Sequence, residues 1–387
     1  MEIGQGAFGS VSLLTSVTTK NNEAIKTLKM YHTDVDESYM VETTLRELYV
    51  LNWFSRYPHP NLIDLLSATI TYNEQQGISH VRLHLDYMPY NLQTYMNAGN
   101  NMTPKYIQMF TLQLLSGVSH MHSCGLLHAD LKPQNIIVCL EGRLKIIDYG
   151  LTVASNTNKR PTDSTTYTVT RWFRPPELLL GNPEFSDKVD VWSVSLILIQ
   201  MASVDCDNKH TCLLRGSDTN DQLLQIFRNI DCPRLEVIAE IASPAIICPT
   251  ILSAINTAIH NGFSDVPRHG VGRIFNHNSF THVPNKRKKC LAVDRPGNII
   301  DEIVIKLGIY GLVIDPKYRP TIKDMLAAVS DKIHDTFDVI AHNTCSEQFP
   351  VQILAELPTT RVQMYHHLLQ NSKVMPLTNI SLECVSR

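Results

Sequence analysis

Apolar positions along the chain follow two periods. Up to about residue 88 they alternate with polar ones, as in Val81-Arg82-Leu83-His84-Leu85, the pattern of half-buried strands. One helical stretch, Val41, Leu45, Leu48 and Leu51, interrupts them. From Thr103 onward the spacing becomes helical: Thr103-Pro104 predicts an N-cap followed by proline at the first helical position, with Ile107, Phe110, Leu114 and Val118 on one face behind it. Met88-Pro89-Tyr90-Asn91 marks the joint. The nearly uncharged run from Val191 to Val204 is too short to span a bilayer and predicts a buried helix. Between residues 232 and 300 the pattern loosens into scattered His, Asn, Pro and Gly with a basic run, Lys286-Arg287-Lys288-Lys289, which predicts an insertion with exposed loops. The last fifty or so residues return to a mixed pattern with one helix near Arg361 to Gln370, and no internal repeat is visible.

Composition narrows the class. A chain of 387 residues, 43% apolar and 18% charged with a formal charge of −3, has no global pull toward nucleic acid or acidic lipid, so any anion binding must be local. The nine cysteines are odd in number, spread from Cys124 to Cys384 without C-x-x-C spacing, which argues for reduced thiols in an intracellular compartment and against zinc ribbons. Met1-Glu2-Ile3-Gly4 begins without a basic region followed by an apolar stretch. Only three residues precede Gly4, too few for a full first strand of about five or six.

Candidate chemistry starts at Gly4-Gln5-Gly6-Ala7-Phe8-Gly9-Ser10-Val11, where glycines let backbone N–H groups approach an anion. Alone, such a stretch reads first as a plain hairpin, and it needs corroboration downstream. Lys26 lies in a strand-like segment, and Glu47 on an amphipathic helix able to pack over that strand and meet it as an ion pair. Ile136 to Leu140 and Leu144 to Ile147 are strand-like about Glu141-Gly142-Arg143, so a hairpin brings Asn135 and Asp148 to one open end as hard oxygen ligands suited to Mg²⁺. Turn-capping by the same two residues is the plainer reading. His120, His122, Cys124 and His128 also sit close in sequence, but a helix end and packing account for them better than zinc does.

GQGAFGSV, Lys26, Glu47, His128-Ala129-Asp130-Leu131-Lys132-Pro133-Gln134-Asn135, Asp148-Tyr149-Gly150 and Pro175-Pro176-Glu177 follow one another in the order of the eukaryotic protein kinase signature, which this chain resembles from Gly4 to about Leu326. Asp315 to Pro320 resembles the late segment whose arginine pairs with the residue here numbered Glu177. Lys132-Pro133-Gln134 is similar to serine/threonine kinases. Thr170 to Gly181 and Asp221 to Phe227 are similar to the CMGC group of cyclin-dependent and mitogen-activated kinases, and Thr165-Thr166-Tyr167 falls where the latter carry their activation pair.

The resemblance implies an α+β, bilobal kinase fold: a small antiparallel sheet with one main helix over residues 1–88, a larger helical lobe over 89–336 with the insertion at about 232–300, and a C-terminal extension over 337–387. It implies transfer of the γ-phosphoryl group of ATP to Ser/Thr hydroxyls of protein substrates, with preference for proline after the acceptor. A catalytically inactive kinase-like scaffold is the alternative. Asp130 would orient the substrate hydroxyl and accept its proton, Lys132 and Thr170 would complete the catalytic set, and Asn135 and Asp148 would hold Mg²⁺. Gly4, Gly6, Gly9, Val11, Ala24, Lys26 and Glu47 would surround the nucleotide, with Leu85, Asp86, Met88 and Asn91 at the adenine and ribose. The helix around Arg46 and Glu47 implies a cyclin-like activating partner. Neither nucleic acid nor membrane is expected as a partner, and Lys286 to Lys289 reads as a nuclear-import address or a solvated loop, leaving cytoplasm and nucleus both open.

Several positions depart from the pattern. Ala129 and Val153 stand where relatives carry two of three arginines that grip a phosphothreonine, leaving Arg46. At about 1.5–3 kcal/mol per charge-assisted hydrogen bond the loss is about 3–6 kcal/mol, against the about 5.5 kcal/mol that a full switch needs. Phosphorylation of Thr165 is therefore expected to tune the protein, with Arg171 and Arg174 available to a phosphorylated Tyr167. Glu23, Tyr149 and Ser195 replace an apolar residue, a phenylalanine and a glycine.

Overall fold

The computed structural model describes residues 2–6, 9–15, 22–30, 36–73, 76–98, 102–155, 171–203, 209–231, 235–242, 299–333, 345–355, 357–372 and 379–384. Its first part is a sheet built from β1 (Glu2–Gly6), β2 (Gly9–Thr15), β3 (Asn22–Lys29), β4 (Leu65–Asn73) and β5 (Gly77–Asp86), antiparallel in the order β1-β2-β3-β5-β4. β1 reaches five residues because the glycine-rich segment itself takes the strand, Gly4 pairing with Val11 and Gly6 with Gly9.

α1 (Glu37–Phe54) covers this sheet. Asp36 caps it by accepting the Ser38 N–H, and Val41, Leu45, Leu48 and Leu51 are buried as their spacing predicts. The second part is helical: α2 (Leu92–Asn97), α3 (Pro104–Ser123), α4 (Pro176–Leu179), α5 (Lys188–Ala202), α6 (Thr219–Asn229), α7 (Leu235–Ile241), α8 (Ile299–Gly311) and α9 (Ile322–Ile333). Thr103 stands at the N-cap of α3, yet its hydroxyl makes no capping bond; Pro104 at the first position supplies the start. α5 is buried along nearly its whole length, as expected, because α3 and α8 pack against it. Ser195 fits where a glycine is usual because its partner gave up the side chain instead: a Cβ on Gly311 would lie 1.9 Å from Ser195 Oγ. Among the described residues no helix is long and apolar enough to cross a membrane.

Two expectations need correction. Part of the supposed loop region is α7, with Ile238 and Ile241 buried; residues 243–298, including Lys286 to Lys289, lie outside the described residues. The C-terminal segment is also more than an appendage with one helix. Its α10 (Gln352–Ala355) and α11 (Arg361–Asn371) bury Ile353, Leu354, Met364 and Leu368 in the main core. Its β11 (Ile380–Cys384) then pairs parallel with β4, making a sixth strand in a sheet expected to be wholly antiparallel.

Candidate active site

Glycine has a steric reason at the strand entry. A Cβ on Gly9 would lie 1.9 Å from the Thr27 carbonyl oxygen, so a larger residue would part β2 from β3. Gly4 meets only ordinary contacts. The register then sets Val11 opposite Lys26, Ala24 opposite Leu85 and Lys26 opposite Leu83. Glu23 meets His84 across the strands at 3.3 Å, which gives this acidic departure a polar neighbour.

Lys26 turns from the sheet toward α1. Its Nζ donates to Glu47 Oε1 at 2.6 Å and Oε2 at 2.8 Å, and to Asp148 Oδ1 at 3.1 Å. Burial alone would lower the Lys26 pKa, but the Asp148 and Glu47 carboxylates more than offset it and hold the ammonium above its ordinary value. Lys26 in turn holds Asp148 below the usual carboxylate range, while burial pushes Glu47 up against the pull of Lys26.

The segment from His128 to Asn135 follows the short β7 (Leu126–Leu127), which pairs with β10 (Val153–Ala154). What shapes it is Asp190, wholly buried in α5, which accepts the His128 N–H and His122 Nε2–H at Oδ2 and the Ala129 N–H at Oδ1, all at 2.8 Å. These bonds hold Ala129 at φ 63°, a left-handed conformation unusual for a residue with a Cβ. The next residue, Asp130, then meets Lys132 Nζ at 2.6 Å through Oδ2 and accepts Asn135 Nδ2–H at 2.9 Å on its carbonyl and 3.1 Å on Oδ2. Beside Asp130 and Lys132 the surface dips into a depression walled by Leu131, Phe173, Arg174, Pro175 and Leu178.

The hairpin forms between β8 (Ile136–Val138) and β9 (Leu144–Ile146), turning through Gly142 at φ 84°. Ile136 pairs with Ile146, and the Ile147 N–H donates to the Asn135 carbonyl at 3.0 Å, so Ile147 stands across from Asn135, not Asp148. Asp148 lies one residue further at φ 69°, and that turn sends its carboxylate to Lys26. Asn135 uses Nδ2 on Asp130, leaving its amide oxygen as the acceptor; that oxygen and the Asp148 carboxylate are hard donors of the chemical type that suits Mg²⁺. Tyr149 satisfies its added hydroxyl by donating to the Ile146 carbonyl at 2.9 Å.

Leu85 and Asp86 close β5, Met88 is buried beyond it, and Asn91, at the end of the short β6 (Tyr90–Asn91), caps α2 through Oδ1 by accepting the Thr94 N–H at 2.8 Å. Arg46 is buried against Glu42, Nη2 to Oε2 at 3.0 Å, and burial lowers its pKa. Val153 is buried in its strand; Arg171 and Arg174 are half-buried, and Thr165, Tyr167 and Thr170 lie outside the described residues. The C-terminal half of α1, the helix around which a cyclin-like partner was expected, packs against the chain's own C-terminal segment: Phe349 stacks edge-on against Trp53 and His367 against Tyr49. His122 goes to Asp190, and His128 Nε2 donates to the Ile147 carbonyl at 3.0 Å, so the four-residue metal set does not assemble.

Two residues of the site escaped the sequence reading. Asp190 stands immediately before the nearly uncharged run that begins at Val191, and that run drew attention only as a buried helix. Lys145 in β9 reaches both Asp64 and, at 2.9 Å, Asp86, linking the strand after the hairpin to the end of β5. Its apolar strand context gave no signal.

A family model described as protein kinase domain matches residues 1–328. The mitogen-activated protein kinase spm1 of Schizosaccharomyces pombe is 31% identical over 244 residues, covering 62% of this chain and 55% of that protein. For mpkA of Aspergillus fumigatus the figures are 32% over 246 residues, 63% and 55%. Mitogen-activated protein kinase 13 of Arabidopsis thaliana is 32% identical over 231 residues, 60% of this chain and 59% of that protein. The chain thus spans somewhat over half the length of these relatives. Six ordered motifs, the ion-paired lysine and the match over most of the chain lead to one assignment: the chain belongs to the protein kinase domain family and is similar to the mitogen-activated kinases of its CMGC branch.

Proposed function

We propose that the protein transfers the γ-phosphoryl group of ATP to Ser or Thr hydroxyls of protein substrates, with proline favoured after the acceptor. The observation that carries this reading is the convergence of Lys26, Glu47 and Asp148 within hydrogen-bond distance, from a strand, a helix and a loop far apart in the chain. When bound, ATP with Mg²⁺ supplies the phosphoryl group and the metal charge that stabilises its transfer. Asn135 and Asp148 would hold the metal through oxygen. Lys26, kept cationic and aimed by Glu47, would meet phosphate oxygens. Asp130 would orient the acceptor hydroxyl and take its proton, with Lys132 beside it neutralising developing charge. Residues 1–88 and 89–336 would act as the two lobes, with Thr170 and the segment before it completing the substrate side.

The test is transfer of labelled γ-phosphate to an arrayed peptide set in which the residue after the acceptor varies. Transfer that prefers proline and falls by at least about 10²–10⁴-fold in Asp130→Asn is expected. Undetectable transfer by the native chain with Mg²⁺ and ATP would turn the reading to a kinase-like scaffold.

Regulation follows from the same residues. Arg46 is already engaged by Glu42, Val153 is buried, and Ala129 brings no cation. Phosphorylation of Thr165 is therefore proposed to tune activity. Thr165→Ala from a host without upstream kinases should keep activity within about a hundredfold, or roughly 2.7 kcal/mol in barrier; a larger loss overturns this. Because α1 is covered by the chain's own C-terminal segment, a separate cyclin-like subunit is not needed to hold it.

A further inference from the structure

The C-terminal segment brings a set of soft metal ligands together at a point that phosphoryl transfer does not use. His120 and Cys124 lie four residues apart in and just after α3, so one helix face presents both. Cys345 arrives beside them from more than two hundred residues away. One ring nitrogen of His120 and the sulfurs of Cys124 and Cys345 all lie within 4.8 Å of one another. A tetrahedral Zn²⁺, with Zn–S about 2.3 Å and Zn–N about 2.0–2.1 Å, spaces its ligands about 3.4–3.8 Å apart, so closure needs shifts on the order of 1 Å.

The surroundings hold these groups in place. The Cys345 N–H donates to Ser123 Oγ at 3.0 Å, Gln348 Nε2 to the Ser123 carbonyl at 2.7 Å, and the Phe349 N–H to the Cys124 carbonyl at 3.0 Å. His120 Nε2 lies 3.2 Å from the Tyr57 carbonyl, a contact of the kind that orients a metal-bound imidazole. The indole N–H of Trp53 is buried with no nitrogen or oxygen acceptor among the described residues, and the Cys124 sulfur is beside it. A metal-bound thiolate would accept that N–H. The Cys345 thiol donates to the Glu347 carbonyl at 3.0 Å, a bond that its deprotonation on metal binding would replace.

We propose that His120, Cys124 and Cys345 form a zinc site, with a fourth position open to water, that fastens the C-terminal segment to the end of α3. Two thiolates and an imidazole select Zn²⁺ over the oxygen-seeking Mg²⁺ of the nucleotide site. The segment so anchored continues into α10, α11 and β11, so the ion would secure the covering of α1 as well. Plain packing accounts for His120 and Cys124 as a helix end, but not for the arrival of a second thiol there, beside a buried indole donor that faces only sulfur.

The full chain, purified after growth with zinc and dialysed against a weak chelator, should retain about one Zn²⁺ by elemental analysis, and Cys345→Ser less than about a tenth of that. Cobalt exchanged into the native chain should give a thiolate-to-cobalt charge-transfer band and tetrahedral d–d bands that Cys345→Ser loses. Cys345 is only half-buried, and circular dichroism of the variant verifies that it is folded. Absence of zinc and of the cobalt spectrum from the native chain overturns the site. Equal zinc in native, Cys345→Ser and His120→Ala proteins does so too, as does a Cys124–Cys345 disulfide in freshly purified protein.

Discussion

Asp190 shows how one buried carboxylate can organise a site without touching substrate. Three donors converge on its two oxygens, and two of them are the backbone N–H groups of His128 and Ala129, just before Asp130. Burial by itself would raise the Asp190 pKa; the His122 hydrogen bond and charge, with His128 and the Ala129 amide, more than offset it and hold the group below its ordinary value. Asparagine offers a single acceptor oxygen, so Asp190→Asn must leave a buried donor unanswered. A loss of about 1–3 kcal/mol in denaturant melts is expected, with kcat falling more than KM rises as Asp130 shifts. The pH sign follows from the depressed pKa. A carboxyl whose folded value lies below the unfolded value of about 3.9 contributes stability above that pH and loses it as pH falls through the folded value. Thermal midpoints should therefore decline below about pH 4, and Asp190→Asn should show the shallower acid slope.

Among the elements, α11 carries the most unusual load. It lies between α1 and β5, with Met364 and Leu368 buried and Tyr365 stacked on Tyr72 at 4.5 Å between ring centroids. Its N-terminus is also tied to α1 at the surface, where Arg361 Nε donates to Glu37 Oε1 at 3.1 Å. Burial and charge should differ sharply in effect here. Met364→Ala removes a fully buried side chain and should cost about 2–5 kcal/mol, whereas Glu37→Gln weakens an exposed pair worth about 0–1 kcal/mol. Equal melting shifts for the two would mean that the helix is held by charge and not by packing. Loss of activity with Met364→Ala in the folded protein would trace the effect through α1 to Glu47 and Lys26.

At the scale of the molecule, a buried ion pair links residues 142 positions apart. Arg319 places Nη1 at 2.8 Å from Glu177 Oε1 and Nη2 at 3.1 Å from Oε2, with both side chains almost wholly buried. The same guanidinium donates to the Val313, Ile314 and Lys188 carbonyls and lies over the Trp192 ring. Glu177→Gln leaves that cation without its charge partner in a dry setting, and a loss of about 3–5 kcal/mol in urea melts is expected. A change below about 1 kcal/mol would mean that the three carbonyls and the ring suffice.

Much of this architecture was legible because local rules have short range. Period-two spacing marked β5, helical spacing α1 and α3, and an uncharged run α5, since each buries one face or all faces against neighbours irrespective of who the neighbours are. The ordered motifs named the acidic and basic groups of the site in the same way. Tertiary structure alone decided what depends on partners distant in sequence. β11 is a five-residue strand whose identity comes from the open edge of β4, Ala129 holds its left-handed turn through Asp190 sixty-one residues on, and Cys345 has meaning only beside His120 and Cys124. Strand edges, buried carboxylates and paired thiols are recognised by what faces them, and no window along a chain contains the group that will face it.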